Sequence, residues 1–395
     1  MPDPQALPSP PLPFFNFAFR TSRFAFPMYR LLRPLLFRLD PERAHHLALG
    51  AGRVGQAVAG GALARAFAFE DPRLSQTVFG RVFENPVGLA AGMDKDARLV
   101  PLWEALGFGF TEVGSVTARP SAGNARPRLF RLPGDGALVN RLGLNNEGAE
   151  AVAARLARLN AEGGRRRVLG VNVAKTHDPA ILGAEAVEDF AESFRHLAPH
   201  ADYVALNVSC PNTREGKTFE EPAALDALLA RIMAERVAMS LSVPVLVKLS
   251  PPRAASGPLD GFYAEAVGIA RAHGVSGLIA TNTAPDRAGL GASPARLAAV
   301  GAGGLSGAPL AARSLHLVRE LHRLTGGALP IIGVGGVGSA EAAYAQIRAG
   351  ASLVELYTAL VYHGPALVRA IKRGLIRLLD RDGLAHVSEA VGLDA

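Results

Sequence analysis

Eight times between residues 85 and 360 a short apolar, β-branched run ends in polar residues or glycine and gives way to a helical pattern. The runs are 85–94, 110–117, 168–175, 203–210, 244–250, 277–283, 330–337 and 352–360. Between them lie amphipathic stretches such as 147–162, 184–198, 222–240, 308–325 and 364–380, with apolar residues three or four apart. Near-continuous apolar strands separated by helices specify a parallel sheet covered on its outer side. Eight such units over about 300 residues predict an α/β fold, a TIM (β/α)8 barrel, rather than an open doubly wound sheet.

Two insertions interrupt the rhythm. Residues 128–143 read as a hairpin turning at Pro133-Gly134-Asp135-Gly136, placed to cover the barrel mouth. Residues 73–85 read as a second hairpin, turning at Gly80 and closing the barrel floor. Ahead of the barrel, 29–38 sets Leu31, Leu32, Leu35, Leu36 and Phe37 among Arg30, Arg33 and Arg38, and 41–68 continues as a helix. A basic amphipathic stretch of this kind suits a membrane interface or a helix packed on the barrel. The implied organisation is a flexible lead-in (1–27), an N-terminal helical extension (28–72), the barrel (73–380) and a tail (381–395).

Composition removes other classes. Of 42 basic residues 37 are arginine, so the net charge of +7 reflects an arginine bias on a solvated face rather than a nucleic-acid groove. Where arginine serves for generic charge, the lysines that remain stand out, and Lys95, Lys175 and Lys248 each end an apolar run. The single cysteine, Cys210, excludes an intramolecular disulfide and a Cys-cluster metal site and fits a reducing compartment. No apolar stretch reaches the roughly 18–20 uncharged residues that a spanning helix needs.

In a barrel of this kind reactive groups come from the C-terminal ends of the strands. Those ends carry Lys95, Ser115, Asn172, Lys175, Asn207, Ser209, Cys210, Lys248, Thr281, Asn282, Thr283, Gly335, Gly336, Tyr357 and Thr358. Apart from Asp94 beside Lys95, no acidic pair and no metal-ligand set is apparent, which argues against glycosidase and metal-hydrolase chemistry. Seven of the eleven asparagines fall at strand ends or on the mouth hairpin and its exit. Carboxamides both donate and accept, so a ring of them suits a flat ligand edged with N–H and C=O groups, a pyrimidine or an isoalloxazine. Gly335 and Gly336, next to a helix beginning near Ser339, form a candidate phosphate cradle. The same glycines match a dinucleotide fingerprint with Glu355 as ribose ligand, but only 59 residues follow Gly336, too few for the rest of such a domain. Cys210 stands at a catalytic-end position with Lys95 or Lys248 as a candidate nearby cation, which suits an acid/base or nucleophilic thiol.

Together the segments AAGMDKD (90–96), GSVTARP (114–120), GNARPRLFRL (123–132), NRLGLNN (140–146), NVSCPNT (207–213), ATNT (280–283), GGLSG (303–307), IIGVGGV (331–337) and LYTAL (356–360) resemble dihydroorotate dehydrogenase, a flavin enzyme family of pyrimidine synthesis, over nearly all of 28–374. The resemblance implies oxidation of (S)-dihydroorotate to orotate, with FMN as hydride acceptor. It implies flavin contacts at Ala91, Gly92, Met93, Asp94, Lys95, Ser115, Asn172, Asn207, Lys248, Thr281, Gly307, Gly336, Tyr357 and Thr358. Orotate would meet Lys95, Asn140, Arg141, Leu142, Gly143, Leu144, Asn207, Asn212, Asn282 and Thr283, and Cys210 would be the base.

The stretch 28–49 is similar to the helical extension of the family's membrane-bound, quinone-using branch, with His45, Arg131 and Tyr357 at its polar positions along a quinone path. This implies a membrane quinone as electron acceptor and peripheral attachment to the cytoplasmic side of the cell membrane, without metal or nucleic acid. That branch commonly starts near Met28, so 1–27 reads as a mis-assigned start. Two departures stand against the pattern. That branch places serine where Cys210 stands, and 213–222 differs from its usual continuation. Leu144 also replaces a common aromatic. Three rival readings follow: the same half-reaction with fumarate, or NAD through a partner subunit, as acceptor, a non-redox barrel holding a phosphorylated ligand, and a catalytically dead, membrane-associated binding module.

Overall fold

A computed structural model describes residues 27–209 and 218–395; Cys210, Asn212 and most of the lead-in lie outside the described residues. The described residues open on two helices, α1 (Pro27–Leu36) and α2 (Pro41–Phe67), the latter kinked at Ala59. Asp40 caps α2 by accepting from the backbone N–H groups of Glu42 and Arg43 at 3.1 and 3.0 Å. A short hairpin follows, β1 (Gln76–Val78) and β2 (Arg81–Phe83). It turns on Phe79 and Gly80, both at positive φ, the geometry that matches the twist of the flanking strands.

The barrel then opens with β3 (Val87–Leu89) and β4 (Phe110–Val116). After β4 the chain leaves for the mouth hairpin, β5 (Leu129–Leu132) and β6 (Ala137–Asn140). It returns for β7 (Val168–Val173), β8 (Tyr203–Asn207), β9 (Val245–Leu249) and β10 (Gly277–Ala280). One further strand, β11 (Gly304–Gly307), lies outside the barrel before β12 (Ile331–Val334) and β13 (Ala351–Leu356) close it. The closed order is β3-β4-β7-β8-β9-β10-β12-β13, every pairing parallel. All eight strands lie within the runs read from the sequence, or within one residue of them.

The remaining helices are α3 (Val100–Ala105), α4 (Ala149–Ala161), α5 (Gly183–Leu197), α6 (Pro222–Ala238), α7 (Gly261–Ala272), α8 (Pro294–Val300), which packs on the mouth strands, α9 (Ala311–Thr325), α10 (Ala340–Arg348), α11 (Thr358–His363) and α12 (Leu367–Asp382). Strands β4, β7, β8 and β9 are buried along their whole length, as covering on both faces requires. After α12 the chain folds back so that Val387 and Ala390 join the core.

The floor is an aromatic plug. Phe83 meets Phe110 edge-on at 5.2 Å between ring centres, and Phe79 lies 6.4 Å from Tyr203. The mouth carries a three-stranded antiparallel sheet rather than the two-stranded hairpin read from the sequence: β11 pairs with β6 from Gly304 opposite Asn140 to Gly307 opposite Ala137. GGLSG lacks the alternation that marks a strand, and only the edge of β6 makes it one.

Arginines of the mouth hairpin hold the N-terminal helices. The buried Glu42 of α2 accepts from Arg128 at 2.8 Å and from Arg126 at 3.1 Å. Arg131 donates to the carbonyls of Leu36 and Leu39 at the end of α1, with its guanidinium 4.6 Å above the Phe37 ring.

Candidate active site

The strand ends surround a cavity of about 620 Å³. Ala91, Gly92 and Lys95 follow β3, Ser115 ends β4, and Asn172, Asn207 and Lys248 come from β7, β8 and β9. Thr281, Asn282 and Thr283 follow β10, Gly335 and Gly336 follow β12, and Tyr357 and Thr358 follow β13. The mouth sheet adds Asn140, Leu142, Gly143, Leu144, Ser306 and Gly307 as the roof. The cavity continues outward to Arg33 of α1 and to Tyr362 and His363 of α11.

The polar side chains form one connected network whose directions are fixed by its ends. Asn172 donates from Nδ2 to Glu112 at 3.0 Å, so its Oδ1 faces Ser115, which donates to it. The Ser115 hydroxyl in turn accepts from Asn207 Nδ2 at 3.0 Å. Asn207 Oδ1 accepts from Asn282 Nδ2 at 3.0 Å, and that amide also donates to Ser209 Oγ at 3.0 Å. Fixing the partners fixes which edge of each carboxamide donates and which accepts. Lys95 donates to Asn145 Oδ1 at 2.6 Å at the cavity edge.

Beneath the network lies a buried ionic cluster. Lys248 Nζ is 2.9 Å from Glu112 Oε1 and 3.6 Å from Glu355 Oε2, and Tyr203 donates its hydroxyl to Glu112 Oε2 at 3.2 Å. Burial works against the Lys248 ammonium, but Glu112 and then Glu355 outweigh it and hold its pKa above the usual lysine value. Burial, reinforced by the charge of Glu112, raises the Glu355 carboxyl well above the ordinary range. Burial also pushes the Tyr357 phenol up to about 12, so it stays neutral.

At the opposite end the backbone is bare. Gly336 has φ +71°, and a Cβ there would fall 2.5 Å from Ala311 Cα and 2.8 Å from its nitrogen. Gly307 has φ +102°, and a Cβ would fall 2.8 Å from Thr358 Cγ2. Neither position admits a side chain. The start of α11 lacks a side-chain cap, which leaves its first N–H groups for another acceptor, whereas α9 continues from a 3-10 turn in which the Ala311 N–H donates to the Ala308 carbonyl.

Several residues expected at the site lie elsewhere. Met93 packs in the apolar core. Asp94 turns inward and accepts from the backbone N–H groups of Arg98 and Leu99 and from Trp103 Nε1, at 2.8, 2.7 and 3.1 Å; it fastens the loop after β3 rather than facing the cavity. Arg141 points outward over the Phe130 ring and donates to the carbonyls of Val300 and Ala302. Lys175 donates to the carbonyls of Asp178 and Ile181 and does not line the cavity. His45 and Arg131 lie outside the cavity lining; Arg131 is committed to the backbone of α1. Glu355 lines the cavity floor beside Lys248, which rules out the ribose role that a dinucleotide fingerprint would give it.

Glu112, Tyr203, Tyr362 and His363 went unmarked in the sequence, and Arg33 was read only as part of the basic amphipathic stretch. The signal for Glu112 was available: a charged residue inside a wholly apolar strand must be paired. Among the described residues no group of three or more His, Cys, Asp or Glu side chains could hold a metal ion, and no helix is long and apolar enough to cross a membrane.

These features define a class: a (β/α)8-barrel enzyme that encloses a polar cavity at its strand ends, with glycine backbone in its lining and an outer part that reaches Arg33 of α1. The family model for dihydroorotate dehydrogenase matches residues 73–379. Dihydroorotate dehydrogenase (quinone) of Deinococcus deserti is 48% identical over 377 residues, covering 93% of this chain and 100% of the relative. The enzyme of that name from Roseiflexus castenholzii is 47% identical, covering 93% and 97%. A crystal structure of the Eimeria tenella enzyme in complex with ferulenol superposes with a TM-score of 0.77 at 33% identity, covering 90% of this chain and 96% of that one. The chain belongs to the dihydroorotate dehydrogenase family.

Proposed function

We propose that the protein oxidises (S)-dihydroorotate to orotate with FMN and passes the electrons to a membrane quinone. The observation that carries this reading is the single cavity that joins a glycine cradle, a directed carboxamide network and an outlet at α1. The residues fit FMN. Gly307 and Gly336 line the cavity with backbone at positive φ that packs too closely on Gly136, Thr358 and Ala311 to carry a Cβ, and the start of α11, which has no side-chain cap, adds N–H groups beside them for a phosphate. Lys248 would stand at the ring, with Ala91, Gly92, Ser115, Asn172, Thr281, Tyr357 and Thr358 around it. When bound, FMN supplies the two-electron acceptor.

The remaining work belongs to the chain. Asn140, Asn207, Asn282 and Thr283 present donors and acceptors in fixed directions to the ring of dihydroorotate, and the Lys95 ammonium suits its carboxylate. Cys210 is the proposed base for the C5 proton; a thiol needs less help than a hydroxyl to reach its reactive anion. The mouth sheet closes over these groups and excludes water.

The acceptor reading is supported by the outlet and by the surface beside it. Leu31, Leu32, Leu35, Leu47, Val54 and Val58 are exposed on α1 and α2 at 48–82%, a larger apolar display than a freely soluble surface carries. We read it as the face that rests in the membrane interface on the cytoplasmic side. Vesicle flotation and quinone reduction test this. L31D/L35D should release the protein from anionic vesicles and abolish turnover with a long-chain quinone, while dihydroorotate still reduces the flavin. Unchanged quinone turnover in that variant would favour a soluble acceptor.

A further inference from the structure

The floor of the cavity holds two carboxyl groups and one ammonium. Lys248 cannot neutralise both Glu112 and Glu355, and an uncompensated charge in a fully buried site is costly. The two acids are not equivalent. Glu112 accepts from Lys248, Asn172 and Tyr203, at 2.9, 3.0 and 3.2 Å. Neither oxygen of Glu355 has a hydrogen-bond partner among the described residues, and the Lys248 ammonium, 3.6 Å away, lies beyond hydrogen-bonding reach. Three donors converge on Glu112 and none reaches Glu355.

We propose that Glu355 keeps its proton at neutral pH, so that the Glu112–Lys248–Glu355 cluster is neutral and places no net negative charge under the bound ring. The O–H bond stays intact through the reaction; no proton is passed on. Burial and the neighbouring Glu112 charge both favour the protonated carboxyl. The charged and titratable groups facing Glu355 are Glu112 of β4, Tyr203 of β8 and Lys248 of β9. The flanking strands β3 and β12 contribute only Val, Gly, Leu and Ile.

The protonation state itself does not depend on the flavin reading; its consequence does. If electrons arrive at this floor, a neutral cluster leaves the Lys248 ammonium able to offset the added charge, whereas an ionised Glu355 would oppose it. Glu355 thus acts through Lys248 as a positioning residue.

Infrared difference spectroscopy of the full chain, wild type minus E355Q at pH 7, decides the matter. The expected result is one protonated-carboxyl C=O band in the wild type, shifted in D2O and missing in E355Q. A lost pair of carboxylate bands with no C=O band would overturn the proposal. If E355Q does not fold, E355D replaces it, and the C=O band must then move; an unmoved band would equally overturn the assignment. On flavin-loaded protein at pH 7, the midpoint potentials of wild type and E355Q should agree, since both leave this position uncharged; a clearly lower potential in the wild type would show an ionised Glu355 and overturn the proposal. A protein that takes up no flavin would defeat the functional reading while the infrared result still stands.

Discussion

Glu112, Lys248 and Glu355 each interrupt an apolar strand, and the barrel brings all three to one floor. Only Lys248 was legible as a site residue, because its neighbours PVLV and LS mark a strand end. The two glutamates were legible only as exceptions inside TEV and VEL, since which of them meets which depends on register around a closed sheet rather than on spacing along the chain. The neighbours Met93, Asp94 and Arg141 show the converse. They sit in motifs whose other members reach the cavity, but backbone direction turns them to the core, to a loop or outward. Two substitutions test the residues that remain. Cys210→Ala should retain flavin and orotate binding and lose turnover by at least ~100-fold, the usual worth of a general base, as read in steady-state kinetics. Wild-type turnover would remove Cys210 from the mechanism. Gly336→Ala should cut flavin affinity by at least about 10-fold, measured by fluorescence titration, because its Cβ has no space beside Ala311.

At the scale of elements, periodicity located the eight barrel strands and the two N-terminal helices, because each buries a face with a fixed repeat. It missed β11, whose Gly-Leu-Ser-Gly has no repeat and becomes a strand through pairing with β6. It also missed the clamp between the mouth hairpin and the helices, since Glu42 and Arg128 are 86 residues apart. That clamp makes helix docking sensitive to acid. Burial pulls the Glu42 carboxyl up, but Arg128 and then Arg126 outweigh it and hold it below the ordinary range. Burial, then the charges of His46 and Lys95, lowers His45 to about 4, although its ring edge still reaches solvent. Both groups bind protons more readily when α2 is released. The His45 contribution is full above the unfolded histidine pKa, roughly 6.5, and is lost as pH falls to about 4, whereas that of Glu42 is full above the unfolded glutamate pKa, roughly 4.3, and is lost only below it. The protection of 41–67 against hydrogen exchange, corrected for the slowing of intrinsic amide exchange in acid, should therefore fall as pH drops from 6.5 to 4 and further below. His45→Gln should remove the upper part of that response and leave the part due to Glu42. Glu42→Ala should weaken docking by on the order of 3 kcal/mol, since it strands the buried Arg128. Protection over 41–67 that ignores pH would contradict both assignments.

For the molecule as a whole, the raised pKa of Glu355 gives stability a pH dependence of opposite sign. The native state holds a proton that the unfolded chain gives up, so its contribution is full at low pH and declines as pH rises above the unfolded glutamate value, roughly 4.3. E355Q, which has no proton to lose, should gain on the wild type as pH rises from about 5 to 8, by at most roughly 1.4 kcal/mol per unit. Paired thermal melts across that range read the difference directly, and a constant difference would refute it. The arginine-rich composition has little to do with this chemistry: many arginines pair with surface acids, as Arg348 does with Asp382 and Asp394. What the whole account depends on is a flat redox ring held between the glycine cradle and Lys248, within reach of a substrate gripped by carboxamides. The most direct measurement is an anaerobic titration of the purified protein with dihydroorotate, followed by its visible absorption. The account predicts a yellow protein that bleaches stoichiometrically and regains its colour on adding quinone. A colourless protein that takes up no FMN, or a yellow one that dihydroorotate leaves unbleached, would contradict it.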